Sequence, residues 1–338
     1  VTIGYGVVEQ VNFSSDNTSV ATVDPASDAN TPYQTTGNGV DVGSVTITAD
    51  VIMSGASTCT DTANLNVISP EPWWQVIDAD IVADGDIISS IPLSCALPGC
   101  NPLLGLEGLG GFPGVPIYGG SADFGDGGAS STNWEANSET LFSKIYDYSF
   151  FSKLIKTDVS VTEMDSPSVN GGYFTSGGTA SRGYVWYHFD GDTYGDLTIN
   201  SSINMPGDRK VVLLVDGADL YINDRINVTD GEGFFMAIVG KNDGGNKGNI
   251  YIDPSVSHPT EVEIEGVFLA EGEFRTGAGT DQLHIRGMVG AYDGVVLERD
   301  LADDSDEPAE VFEYAPDFVL TFPRDLTFKR LRWKEVAP

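Results

Sequence analysis

The stretch FDGDTYGD places Asp190, Asp192 and Asp196 at the first, third and seventh positions of a calcium-loop-like spacing, with Gly195 at the sixth. Ca²⁺ takes about six to eight oxygen ligands, so carboxylates gathered on one turn suit it. Two positions depart from the EF-hand pattern. Tyr194 stands at the fifth, and Ser201 stands at the twelfth in place of a bidentate Glu. The competing reading is an acidic turn with no ion. A second acid-rich stretch, DADIVADGD, carries Asp78, Asp80, Asp84 and Asp86, and its alternation puts several of them on a solvent face. DDSDEP at 303–308 reads as a solvated linker.

Catalytic patterns are missing. The chain contains no G-x-S-x-G, H-E-x-x-H, Walker loop or G-x-G-x-x-G. His188, His258 and His284 have no Ser or Cys partner at a readable spacing, and carboxylates are too abundant for one acid/base pair to stand out. A non-enzyme is expected. Cys95 and Cys100 flank ALPG, whose Pro98-Gly99 turn can bring the two thiols within disulfide reach. Such a bridge implies an oxidising, extracytoplasmic location. Four soft ligands for zinc are absent, and Cys59 is left as a small core residue. Arg324, Lys329, Arg330, Arg332 and Lys334 supply five of the 17 basic residues within eleven positions, and form a candidate interaction patch.

Basic residues number 17 and acidic residues 50, a net charge of −33 over 338 residues. A surface so acidic repels nucleic acid and anionic lipid. No run of about 18 apolar residues occurs, so no membrane-spanning helix is expected. The start at Val1 suggests a portion excised from a longer product, and Asn12, Asn17, Asn200 and Asn227 begin Asn-x-Ser/Thr sequons. With 40 Gly and 17 Pro, the composition favours many short strands joined by tight turns.

Those strands come in two styles. Residues 1–68 alternate apolar and polar residues over short runs, most cleanly in GSVTITADVIM, and predict a sandwich. VNFSSDNTSVATVDP, VDVGSVTITADV and LNVISP together resemble bacterial Ig-like domains of group 2. That resemblance implies a spacer or adhesive module of a surface protein, with no site residues to transfer. Pro70 and Pro72 mark a linker at 70–74, and Trp73 and Trp74 either pack at the start of the next domain or offer a platform for sugar.

From 75 to 302 a different pattern repeats: an apolar strand, a Gly or Asp-Gly corner, another strand. It is clear in VVLLVDGADLYIND, VEIEGVFLAEGEFRTG and LHIRGMVGAYDGVVLERD. Aligning second strands by Leu220, Ile250, Phe274 and Val296 gives steps of 30, 24 and 22 residues, the signature of a solenoid whose stacked coils bury what one coil cannot. Gly217, Gly266, Gly272, Gly287 and Gly294 are expected at corners. The pattern resembles right-handed parallel β-helix modules of bacterial surface and pilus-associated proteins. An insertion at about 91–200 interrupts it. Within that insertion Ser138 opens a helix carrying Leu141, Ile145, Tyr148 and Phe151, expected to plug one end of the solenoid. The acidic linker and a basic closing strand follow at 303–338.

The reading is an all-β protein, an Ig-like β-sandwich plus a parallel β-solenoid with an inserted, partly helical segment. Its expected role is extracellular and structural: a filament, surface-layer or adhesin subunit that self-associates or meets neighbouring surface subunits. The alternatives are a Ca²⁺-dependent glycan-binding adhesin and a polysaccharide lyase or hydrolase on a β-helix.

Overall fold

The computed structural model describes residues 7–40, 43–54, 57–67, 71–92, 104–105, 114–125, 127, 136–137, 146–229, 232–257, 262–302, 304 and 307–327. The chain forms two compact units that divide after Pro70. The first is antiparallel. Its main sheet runs Ser27–Asp28, Val8–Ser15, Gly43–Met53, Ser57–Val67, and Ala21–Asp24 pairs separately with Thr36–Gly39. Among its described residues Val11, Ala21 and Val45 are the buried apolar ones. Cys59 pairs with Val51 but is exposed, which corrects the expectation of a core thiol.

The second unit is a parallel β-solenoid. Its long sheet orders Val161–Met164, Tyr184–Asp190, Lys210–Asp216, Phe234–Val239, Ile264–Ala270, Leu283–Ala291, Glu310–Tyr314, Trp74–Ile77 and Leu104–Gly105, all parallel. Its short sheet stacks Ser168–Val169, Leu197–Ile199, Leu220–Ile222, Ile250–Ile252, Glu273–Arg275 and Gly294–Val296. Residues 211–224 and 262–300 therefore lie layer on layer. Leu220 stacks on Ile250 and Ile250 on Phe274, as the spacing predicts, but Phe274 meets Val295 and not Val296. One residue matters, because side chains alternate across a strand and a shift of one reverses the face. Leu213, Ala237 and Phe268 form one fully buried row and Leu220, Ile250 and Phe274 another. Each large buried side chain contributes about 1.5–3 kcal/mol.

The expected interruption is narrower than 91–200. Strands from Val161–Met164 to Leu197–Ile199 already stack in register with the coils that follow. The helix is also shorter and placed differently. Residues 138–145 lie outside the described residues, and α1 covers Tyr148–Leu154, with Asp147 Oδ1 accepting the Phe150 N–H at 2.7 Å. It does not plug an end. It packs on the long sheet against Lys210–Asp216, and the Tyr148 ring leaves room at 240 for glycine alone, since a Cβ there would lie 2.7 Å from Tyr148 Cγ. All six residues of Phe234–Val239 are buried, so this sheet is covered on both faces. The role of a cap falls to α2, Gly172–Ser176, whose Phe174 is fully buried and which packs on Ile203–Met205. Arg209 holds it there by donating to the Phe174 and Gly177 carbonyls. A single helical turn, α3, spans Gly191–Tyr194.

Around the ends one expectation is met and one needs correction. Trp73 is buried and its Nε1 donates to the Asp304 carbonyl at 2.8 Å, while Trp74 Nε1 donates to the Ile88 carbonyl at 2.8 Å and its ring meets Phe312 edge-on. They pack at the start of the second unit, as expected, and the alternative of a sugar platform falls away. Asp304 is buried, so this part of 303–308 is not a solvated linker. The last strand among the described residues is Glu310–Tyr314; α4, Pro316–Thr321, follows it, and Arg324 sits in a 3-10 turn, Arg324–Leu326. Lys329, Arg330, Arg332 and Lys334 lie outside the described residues.

Candidate functional site

The acids at the corners were the strongest ligand candidates, and their geometry sends them elsewhere. Asp190 caps α3: its Oδ1 accepts the Asp192 N–H at 3.1 Å and its Oδ2 the Thr193 hydroxyl at 2.5 Å. The Thr193 hydrogen bond holds the Asp190 carboxyl below its usual range, against the weaker effect of burial. Asp192 faces the next corner, where a Cβ on Gly217 would lie 3.6 Å from its Oδ1. Asp196 turns into the next layer, accepting the Asp219 N–H at 3.0 Å and pairing with Lys247 at 2.9 Å. The three carboxylates do not converge. Among the described residues no group of three or more His, Cys, Asp or Glu is arranged to hold a metal ion.

Instead the corners form a ladder. Asp196 accepts from Asp219 N–H. Asp219 Oδ1 accepts from Asn249 N–H at 3.0 Å and Nδ2 at 2.9 Å, and Asn249 Oδ1 accepts from Glu273 N–H at 2.8 Å. Each rung precedes a short-sheet strand and satisfies a backbone donor that the turn leaves unpaired. Lys247 ties two rungs, 2.9 Å from Asp196 and 3.2 Å from Asp219, and the hydrogen bond to Asp196 raises its pKa above the ordinary lysine value. The same device recurs in the coils that begin at Trp74. Asp80 accepts the Val115 N–H at 2.8 Å, and Asp86 accepts the Ser121 N–H at 2.6 Å and its hydroxyl at 2.8 Å. Sequence reading named most of these acids but as ligands. The signal for their real role was present: Asp196, Asp219 and Asn249 each sit just before Leu197, Leu220 and Ile250, the residues that stack.

Asp219→Ala is expected to cost about 1–3 kcal/mol, because Asn249 loses its acceptor in a buried corner. Asp219→Asn keeps an acceptor oxygen and should lose less. Equilibrium urea unfolding of the two variants measures the difference, and equal losses would count against a hydrogen-bond ladder.

The Asp-Gly in VVLLVDGADLYIND is a corner. Gly217 has φ of 71° and its N–H donates to the Gly240 carbonyl at 3.1 Å, one layer on. Burial raises the Asp216 carboxyl pKa, and neighbouring Asp190, Asp192 and Glu271 add to the rise. Gly266 and Gly287, expected at corners, lie instead inside strands Ile264–Ala270 and Leu283–Ala291, with φ of 157° and 141°.

Asparagines form a second row. Asn227 Nδ2 donates to Asn204 Oδ1 at 3.0 Å, and Asn200 Nδ2 donates to Ser168 Oγ at 2.5 Å. The amides of two sequons are thus engaged between layers. His188 Nδ1 lies 2.5 Å from Glu163, and His284 Nε2 lies 2.9 Å from Glu313. Tyr221 and Tyr251 stack at 4.8 Å and 9° on successive layers. Cys95, Cys100 and His258 lie outside the described residues.

Comparison with protein-family models, curated proteins and solved structures finds no match. What the geometry offers is a series of fastened layers, with polar side chains aimed at the neighbouring coil. Among the described residues no helix is long and apolar enough to cross a membrane.

Proposed function

We propose that this chain is an extracellular structural component of a bacterial cell surface, a filament, surface-layer or adhesin subunit. The observation that carries the reading is the destination of the corner side chains. Asp80, Asp86, Asp196, Asp219 and Asn249 accept backbone N–H groups of the adjoining layer. Such a coil gains stiffness from each added layer, which suits a spacer or shaft. The N-terminal unit supports the same role through its resemblance to bacterial Ig-like spacer domains. The net charge of −33 suits a hydrated exterior that keeps such molecules soluble and apart from anionic partners.

Gold-labelled antibody on intact cells that express the chain tests the reading. Label is expected on the outer surface, in fibres or an ordered layer, without permeabilisation. Label that enters only permeabilised cells would overturn it.

A further inference from the structure

The layers of the solenoid do not follow chain order. The strand that opens the second unit, Trp74–Ile77, lies beside the last strand of the described residues, Glu310–Tyr314, with Glu310 opposite Trp74 and Glu313 opposite Ile77. The pair is parallel, so both strands start at the same end. The chain enters the pair past Pro72 at that end and leaves it through Ala315 at the other. Tension on the two flanking segments pulls one strand backwards and the other forwards. The strands must then slide, and their hydrogen bonds are stressed together and not one after another.

We infer that this pair is a clasp that resists tension and makes the second unit a mechanical link in a chain pulled from both sides. The inference rests on the structural-surface reading and adds a function to it. Several features reinforce the sliding plane. The Ala309 N–H donates to the Trp73 carbonyl at 2.7 Å, and Trp73 itself is buried with its indole held by the Asp304 carbonyl at 2.8 Å. Trp74 meets Phe312 edge-on at 6.3 Å. Both strands are interior to the sheet, paired on their far sides with Leu104–Gly105 and Leu283–Ala291. Neither can swing out at an edge.

Beyond the clasp the chain doubles back over the long sheet as a strap. Asp317 pairs with Arg286 at 2.6 Å, the Thr321 carbonyl accepts the Tyr184 hydroxyl at 2.6 Å, and Asp325 pairs with Lys156 at 2.9 Å and Arg182 at 3.2 Å. These partners lie on progressively earlier parts of the winding. Pulled from the C-terminal side, the strap loses them in sequence, so it peels at low force and shields the clasp only briefly.

Single-molecule pulling on the full chain tests the clasp in two geometries. In the first, handles join the two termini. In the second, one handle joins the N-terminus and the other is attached through an unnatural amino acid at Glu307, an exposed residue just before Glu310–Tyr314. The second geometry loads both strands from their starts and unzips them. The first is expected to show an early lengthening of at most roughly 4–5 nm as residues 315–327 peel, from the reach of an extended chain. A rupture several-fold stronger than in the second geometry, at the same pulling speed, is then expected. Equal rupture forces in the two geometries would overturn the clasp. The measurement uses purified protein, so its result stands apart from where the chain resides in the cell.

Discussion

Gly287→Val is expected to destabilise the solenoid by more than about 4 kcal/mol, a large share of the roughly 5–15 kcal/mol by which folded domains are ordinarily stable. Two effects combine. Gly287 has φ of 141°, a conformation that side chains other than glycine rarely adopt, and which costs about 1–3 kcal/mol when forced. A Cβ there would also lie 1.9 Å from the Gly266 carbonyl oxygen, in backbone that cannot rotate aside. Gly266 is the residue directly opposite in the ladder and has φ of 157° itself, and a Cβ on it would lie 3.0 Å from the Phe235 carbonyl oxygen, so at both positions a side chain would point into the neighbouring layer's backbone. Gly294 separates the two effects. Its φ is 120°, yet nothing lies within 4 Å of the place a Cβ would take. Gly294→Ala should therefore show the conformational cost alone. Urea unfolding followed by far-ultraviolet circular dichroism gives both numbers. A Gly287→Ala variant within about 1 kcal/mol of Gly294→Ala would remove the steric half of the account.

The contrast between those glycines shows where sequence reading succeeds. Strand, corner and layer are legible because Leu220, Ile250 and Phe274 repeat, and burial rewards that repetition directly. The departures come from residues whose role depends on another coil. Gly287 looks like any corner glycine until Gly266 is opposite it. Asp196 has the spacing of an ion ligand until the Asp219 N–H is found beneath it. The clasp is harder still, because nothing in WQVI and EVFEY announces that they pair across more than two hundred residues. Parallel pairing leaves no turn between the partners to mark it. The N-terminal unit was easier, since its neighbouring strands Gly43–Met53 and Ser57–Val67 pair locally.

Arg299 is the residue that sequence reading had least reason to notice, and its loss is expected to be the second large effect. Its side chain is buried and donates only to carbonyl oxygens: Nε to Thr276 at 3.1 Å, Nη1 to Pro254 at 3.0 Å and Asp281 at 3.4 Å, and Nη2 to Asp253 at 3.2 Å. These oxygens belong to preceding layers. From the following strand, Glu310 Oε1 accepts the Arg299 N–H and the Glu298 N–H, each at 3.0 Å, and the Thr276 hydroxyl at 2.8 Å. One arginine and one glutamate thus pin several coils together. Burial pushes the guanidinium pKa down and the Glu310 pKa up, each partly offset by the other residue. Arg299→Met keeps much of the volume but strands the carbonyls and leaves Glu310 without a nearby positive charge, at a cost of about 3–5 kcal/mol. Glu310→Gln retains an acceptor oxygen and should cost less. Its pH dependence provides a second check. Because the folded chain raises this carboxyl's pKa, ionisation weakens the native state as pH climbs above the ordinary glutamate value of 4.5. The glutamine variant lacks that loss, so its deficit against the parent chain should narrow from pH 4.5 upward in urea unfolding. A deficit that instead widens over that range would mean that Glu310 is stabilised, not strained, by its burial beside Arg299.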